Sequence, residues 1–362
     1  MRVLYFGTYE RDYPRNAQVI SCLRGAGVDV IERHAGVWEL RRHKWSLGAG
    51  AALKVGLAEA GLVFRGRRER FDAMIVGYPG HFDMPAARRI ARSRPLIFNP
   101  LVSLAETLVE DRGRFSRGSL AASVLHHVDR ISLRQADLVV ADTEQNGRFL
   151  AELGEIRRER VAVCFVGAEE RLFRPGWQIR ERFHVLFVGK LIPLHGLETI
   201  LDAARRAPEV PFRIVGSGQL DALLDDRPAN VEWVEWVEYE ALPEVLQRAG
   251  CALGVFGTSE KAARVIPNKA FQALACGTPL VTADTPAARE LLRHGESALL
   301  VPPGDADALA AAVRALASDA ELAGRIGAGG LAAYRKHASE DVLGLRWRGL
   351  LEAELERAAG PR

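Results

Sequence analysis

The chain is predicted to form two doubly wound α/β domains, each a parallel sheet with helices on both faces. Three observations predict it. Short apolar runs alternate with helical stretches along the whole length, which implies βαβ units. The alternation breaks at Phe173-Arg174-Pro175-Gly176-Trp177 and restarts at Val185-Leu186-Phe187-Val188-Gly189. A length of 362 residues, 48% apolar and 26% charged, suits about two globular domains.

In the first half the expected strands are Val3–Phe6, Val28–Glu32, Ala73–Val76, Leu96–Phe98, Leu138–Ala141 and Val161–Val166. Helical spacing marks Asn16–Arg24, Pro85–Arg92, Leu120–Gln135 and Glu144–Leu153. In the second half the strands are Val185–Val188, Phe212–Val215, Val231–Val234, Ala252–Val255, Leu280–Ala283 and Ala298–Val301. The final helix, near Glu340 to Ala359, has no strand after it and must pack on a domain already built. The boundaries read from this are 1–176, 177–338 and a terminal helix 339–362.

Four scattered cysteines, with no CxxC pair and no His/Cys cluster, argue against zinc and against a disulfide framework. A reducing cytosol is the default compartment. The N-terminus reads as a first strand and not a signal peptide. The window Trp45 to Phe64 contains Lys54, Glu59 and several glycines, too polar for a membrane span. Net charge is +3, but residues through Leu172 carry 27 basic and 21 acidic side chains. The excess gathers at Arg41–Trp45 and Arg65–Arg70. A solvated surface is the preferred reading, and contact with an acceptor phosphate or with acidic head groups at an inner membrane face is the alternative. No nucleic-acid motif accompanies the charge.

Doubly wound sheets bind ligands beyond the carboxyl ends of their strands, so the chemistry is expected in those loops, in a cleft between two such domains. Gly189 and Lys190 follow one strand, with His195-Gly196 before the next helix. Two potential cations in one loop suit a diphosphate; taken singly, each is better read as an ordinary loop residue. Gly216-Ser217-Gly218 lacks the third glycine of the dinucleotide fingerprint and is read as a sharp turn or a close approach to a ligand. Arg264-Val265-Ile266-Pro267-Asn268-Lys269-Ala270-Phe271-Gln272 leads into a helix closed by Gly277. A helix N-terminus beside a lysine makes a site for a phosphorylated ligand. Asp305-Ala306-Asp307 looks like a metal-binding D-x-D, but its place before Ala308-Leu309 makes it a helix cap. No metal site is read. In the first domain Gly7, His81 and Asn99 follow strands and are candidates at the cleft edge. His81 is equally well read as a satisfied structural residue.

Taken in order, Gly189-Lys190, His195-Gly196, Gly216-Ser217-Gly218 and Ala275-Cys276-Gly277-Thr278-Pro279-Leu280-Val281 resemble the retaining glycosyltransferases of family 4. Gly295 to Asp305 adds to the likeness. The resemblance implies the GT-B fold, a nucleotide-diphospho-sugar donor and no cofactor or metal. It also implies an acceptor such as a lipid-linked sugar or another glycan, and a last helix crossing back to the first domain. It implies catalytic roles for Lys190 and Lys269, with donor binding by Gly189, His195, Gly216, Gly218, Arg264, Asn268 and Gln272. Arg264 and Gln272 stand where the family carries two glutamates, His195 where it usually has lysine, and Asn99 where a histidine is common. An inactive nucleotide-sugar-binding scaffold, or another GT-B enzyme such as an epimerase, is the alternative.

Overall fold

The computed structural model describes residues 1–9, 11, 13–36, 69–176 and 182–360. The window Trp45 to Phe64 and most of the two basic clusters lie outside the described residues. The chain divides into two compact units, Met1–Phe165 with Leu343–Arg362, and Val166–Val342. Residues 166–176 go with the second unit, where Phe173 stacks edge-on against Tyr239 and the Arg174 carbonyl accepts from Gln247.

The first unit holds strands β1 (Arg2–Gly7), β2 (Asp29–His34), β3 (Ala73–Val76), β4 (Leu96–Phe98), β5 (Leu138–Ala141) and β6 (Val161–Val163). All pair in parallel, in the order β2-β1-β3-β4-β5-β6. β3, β4 and β5 are wholly buried, as apolar runs flanked by helices must be. β2 runs on through Glu32, Arg33 and His34 because an edge strand tolerates polar residues while its ladder to β1 continues. β6 stops at Val163, short of the expected Val166, because the Cys164 and Phe165 carbonyls turn to the Arg15 guanidinium.

The second unit repeats the plan with β7 (Val185–Val188), β8 (Phe212–Val215), β9 (Val231–Val234), β10 (Cys251–Leu253), β11 (Leu280–Ala283) and β12 (Leu299–Val301). Their order is β12-β11-β10-β7-β8-β9, again parallel. The order reverses between β7 and β10, and in the first unit between β1 and β3. Such switch points open crevices at the carboxyl ends of the strands. The last helix, Glu340–Ala359, puts Leu343, Trp347 and Leu351 into the core of the first unit beside Val3, Tyr5, Val19 and Leu23. No described helix is long and apolar enough to cross a membrane. All four cysteines are buried and free.

Candidate functional site

In the second unit the crevice is built by glycines first. β7 ends at Gly189, whose φ of +146° only glycine adopts readily. Gly216 ends β8 in the same way at +137°, and a Cβ there would lie 2.0 Å from the Gly189 carbonyl oxygen. The two turns therefore touch backbone to backbone. Gly218 pairs as a parallel bridge with Leu191, and its N–H donates to Asp221 at 2.6 Å. The Trp233 indole N–H donates to the Gly216 carbonyl at 2.9 Å, fixing that loop from the side.

Lys269 fills the space that Gly189 leaves. It lies in the first turn of the helix Asn268–Cys276, which Gly277 closes in the left-handed conformation. A Cβ at Gly189 would sit 2.8 Å from Lys269 Nζ. The ammonium lies 3.6 Å from the centroid of the Phe187 ring, on β7, a cation–π contact. The residue is 9% exposed, and Nζ has no hydrogen-bond partner among the described residues. Burial pushes its pKa well below the usual lysine range. An unpartnered buried amine is costly, and such groups concentrate at binding and catalytic sites.

His195 shares the pocket, with its ring 5.6 Å from that of Phe187. Its Nδ1 lies 2.6 Å from the Lys190 carbonyl oxygen, so Nδ1 carries the proton. Burial, and then the neighbouring Lys269, hold its pKa well below the ordinary histidine value. That direction disfavours the charged form of His195, one of the two potential cations of this loop. Lys190, by contrast, is exposed at the head of the loop.

Gln272 lies one turn beyond Asn268, is 8% exposed, and sits beside Tyr239. Burial pushes that tyrosine up to about 12. Arg264 ends the short helix Glu260–Arg264, 3.4 Å from Glu260. Asp305 caps its helix by accepting the Ala308 N–H at 2.9 Å, and Asp307 pairs with Arg206. The D-x-D is therefore a cap, as expected, and among the described residues no three acids, histidines or cysteines cluster to hold a metal.

The first unit brings its three candidates to the same kind of edge. Gly7 ends β1 at φ +133°, and a Cβ there would meet Asp83 at 2.4 Å. Asn99 follows β4, and its Oδ1 accepts two N–H groups of Arg15, at 3.1 and 2.9 Å. Its Nδ2 is buried without a partner among the described residues. His81 is enclosed: Nε2 lies 3.2 Å from Asp129, Nδ1 bonds the Pro79 carbonyl, and the ring abuts Phe98. Both ring nitrogens are spent inside the unit. Arg15, Asn16 and Asp83 carry this edge, and the fold alone brings them to partners as far as 75, 62 and 150 positions away, Asp83 to Thr8, Asn16 to Tyr78 and Arg15 to Phe165.

The description "Glycosyl transferases group 1" belongs to the family model that matches residues 182–319. The group 1 region thus contains both glycine turns, Lys269 and Gln272. A D-inositol 3-phosphate glycosyltransferase of Nocardia farcinica is 30% identical over 257 residues, 63% of this chain and 56% of the relative. A phosphatidyl-myo-inositol mannosyltransferase of Mycobacterium leprae is 33% identical over 163 residues, 42% of each chain. The chain spans about half the length of these relatives. Among solved structures, HepE of Anabaena in complex with UDP-glucose matches over 98% of this chain and all of its own, with a TM-score of 0.70 and 16% identity. That likeness establishes the fold: two Rossmann-like domains of the GT-B type.

Proposed function

We propose that this protein transfers a sugar from a nucleotide-diphospho-sugar to an acceptor hydroxyl, with retention of configuration and without a metal. The observation that carries the proposal is the buried, unpartnered Lys269 amine against Gly189, in the first turn of the helix Asn268–Cys276. A diphosphate resting on the Gly189 and Gly216 turns meets backbone and the helix N-terminus, with the amine one side-chain rotation away. Lys190 supplies a second cation from the loop. Gln272 holds the nucleotide ribose through its amide.

In the transfer, the bond from the sugar's anomeric carbon to the diphosphate oxygen breaks. The acceptor oxygen bonds that carbon on the same face, and its proton passes to the departing phosphate. No nucleophilic side chain is required. The protein positions the reactants and stabilises charge that grows on the diphosphate. The relatives named above favour a phosphorylated or lipid-borne polyol as the acceptor class.

Thermal-shift screening against a panel of nucleotide-diphospho-sugars tests the reading, followed by transfer assays with the donor that stabilises. Chelator-treated protein should keep most of its transfer rate. Loss restored only by manganese or magnesium contradicts the metal-free mechanism. Stabilisation by a donor with no turnover or hydrolysis leaves the scaffold reading in its place.

A further inference from the structure

The charge around the second unit's crevice is one-sided. The loop after β10 runs back to the turn that carries His195, where the Phe256 N–H donates to the His195 carbonyl at 3.1 Å. A Cβ at Gly196 would lie 2.6 Å from the Phe256 backbone, and one at Gly257 would lie 2.5 Å from the Leu194 carbonyl oxygen. This close approach sets the helix Glu260–Arg264 against the turn Pro193–His195. Ala263 accepts the Ala287 N–H at 3.2 Å, and an extended Val265 leads on to Pro267 and the helix of Lys269.

Segments 189–196 and 256–272 therefore share one edge. Their titratable side chains are Lys190, His195, Glu260, Lys261, Arg264 and Lys269, four bases with one histidine and one carboxylate. The carboxylate is turned to solvent: Glu260 is 95% exposed, while the Arg264 side chain is 15% exposed. Their 3.4 Å pair is weak for that reason, and a better-placed anion can replace it. Lys261 is buried three positions earlier, on the same face of the helix. In the proposed transfer Lys190 and Lys269 answer the two phosphates. A guanidinium stays charged, and its planar fork fits a carboxylate through two parallel hydrogen bonds. A neutral sugar would leave the remaining positive charge unmatched by the ligand. A sugar bearing a carboxylate matches it. Arg264 also reverses the sign of the glutamate that the family pattern carries at its position.

We propose that Arg264 selects a donor whose sugar is a uronic acid, gripping the sugar carboxylate while the lysines hold the diphosphate. The inference rests on the transferase reading, since the sugar reaches Arg264 only as part of a nucleotide donor in this crevice.

The test is calorimetric titration of the full chain with matched probes: UDP, UDP-glucose and UDP-glucuronic acid, then GDP, GDP-mannose and GDP-mannuronic acid. With the base that binds, wild-type protein should hold the acid-bearing donor about tenfold or more tighter than its neutral counterpart. Arg264→Gln, checked for a native melting curve, should bring that ratio to about one. It should weaken the acid-bearing donor more than the free nucleoside diphosphate. Arg264→Lys should keep part of the preference, because the charge survives and the fork does not. Equal or tighter binding of the neutral donor by wild type overturns the proposal and leaves the transferase reading standing. So does a preference that Arg264→Gln leaves unchanged. If neither nucleoside diphosphate binds, the transferase reading fails and this inference falls with it.

Discussion

At the scale of single residues, Lys269 is held at a cost. Burial lowers its pKa, so between the folded and unfolded values the unfolded chain binds more protons. Stability therefore rises with pH through that window, and the penalty is fully present below the folded value. Lys269→Met should stabilise the free protein at neutral pH by about 1 kcal/mol, seen as a raised Tm. The same change should weaken nucleoside diphosphate binding. A diphosphate favours the ammonium, so its binding should take up a proton at pH above the free amine's pKa. Affinity should then fall as pH rises. Calorimetry in buffers of different ionisation heat measures this uptake, and Lys269→Met should lose it. Gln272→Ala should weaken nucleotide binding by about 1 to 3 kcal/mol, while unchanged affinity removes the residue from the site. The position of Lys269 at a helix start is legible in the sequence. Its lodging against Phe187, in space left by Gly189, is not, because 80 positions separate the lysine from that glycine and only the fold joins them. His195 shows the complement: the sequence gives the residue, and only its enclosure gives its charge.

Among the elements, two glycines of opposite character allow a paired prediction. Gly216→Ala puts a methyl against backbone at a φ that alanine avoids, and should cost at least about 2 kcal/mol while breaking the turn. Gly324, within the helix Ala320–His337, has nothing within 4 Å of its would-be Cβ. Gly324→Ala should stabilise by about 0.5 to 1 kcal/mol. Denaturant melts of both variants read the difference. Elements whose limits follow from apolar runs alone were legible in the sequence to the residue, as with Leu96–Phe98, Phe212–Val215 and Leu280–Ala283. Limits set by remote partners were not. β6 ends where Arg15 captures its carbonyls, and β2 begins and ends with its ladder to β1, not with its hydrophobic run.

For the molecule as a whole, the β-α alternation and its restart were enough to give two doubly wound units. A last helix with no strand to follow had to return to existing structure, and its Trp347, 1% exposed, lies in the first unit's core. Trp347→Ala should destabilise that unit by about 3 to 5 kcal/mol, with hydrogen exchange quickening in β1 and in the helix Pro14–Gly25 that share the cluster. Sequence could not supply the chemistry of the second unit's crevice in full, since it is assembled from the ends of β7 and β8 and a helix begun 80 residues after β7. The measurement that tests the account most directly is the turnover of Lys269→Ala on the nucleotide-diphospho-sugar that most stabilises the wild type. Charge grows on the diphosphate as the sugar bond breaks, so kcat should fall by about 10²-fold or more, with donor binding reduced less. A variant that folds normally and keeps near-wild-type kcat would contradict the account.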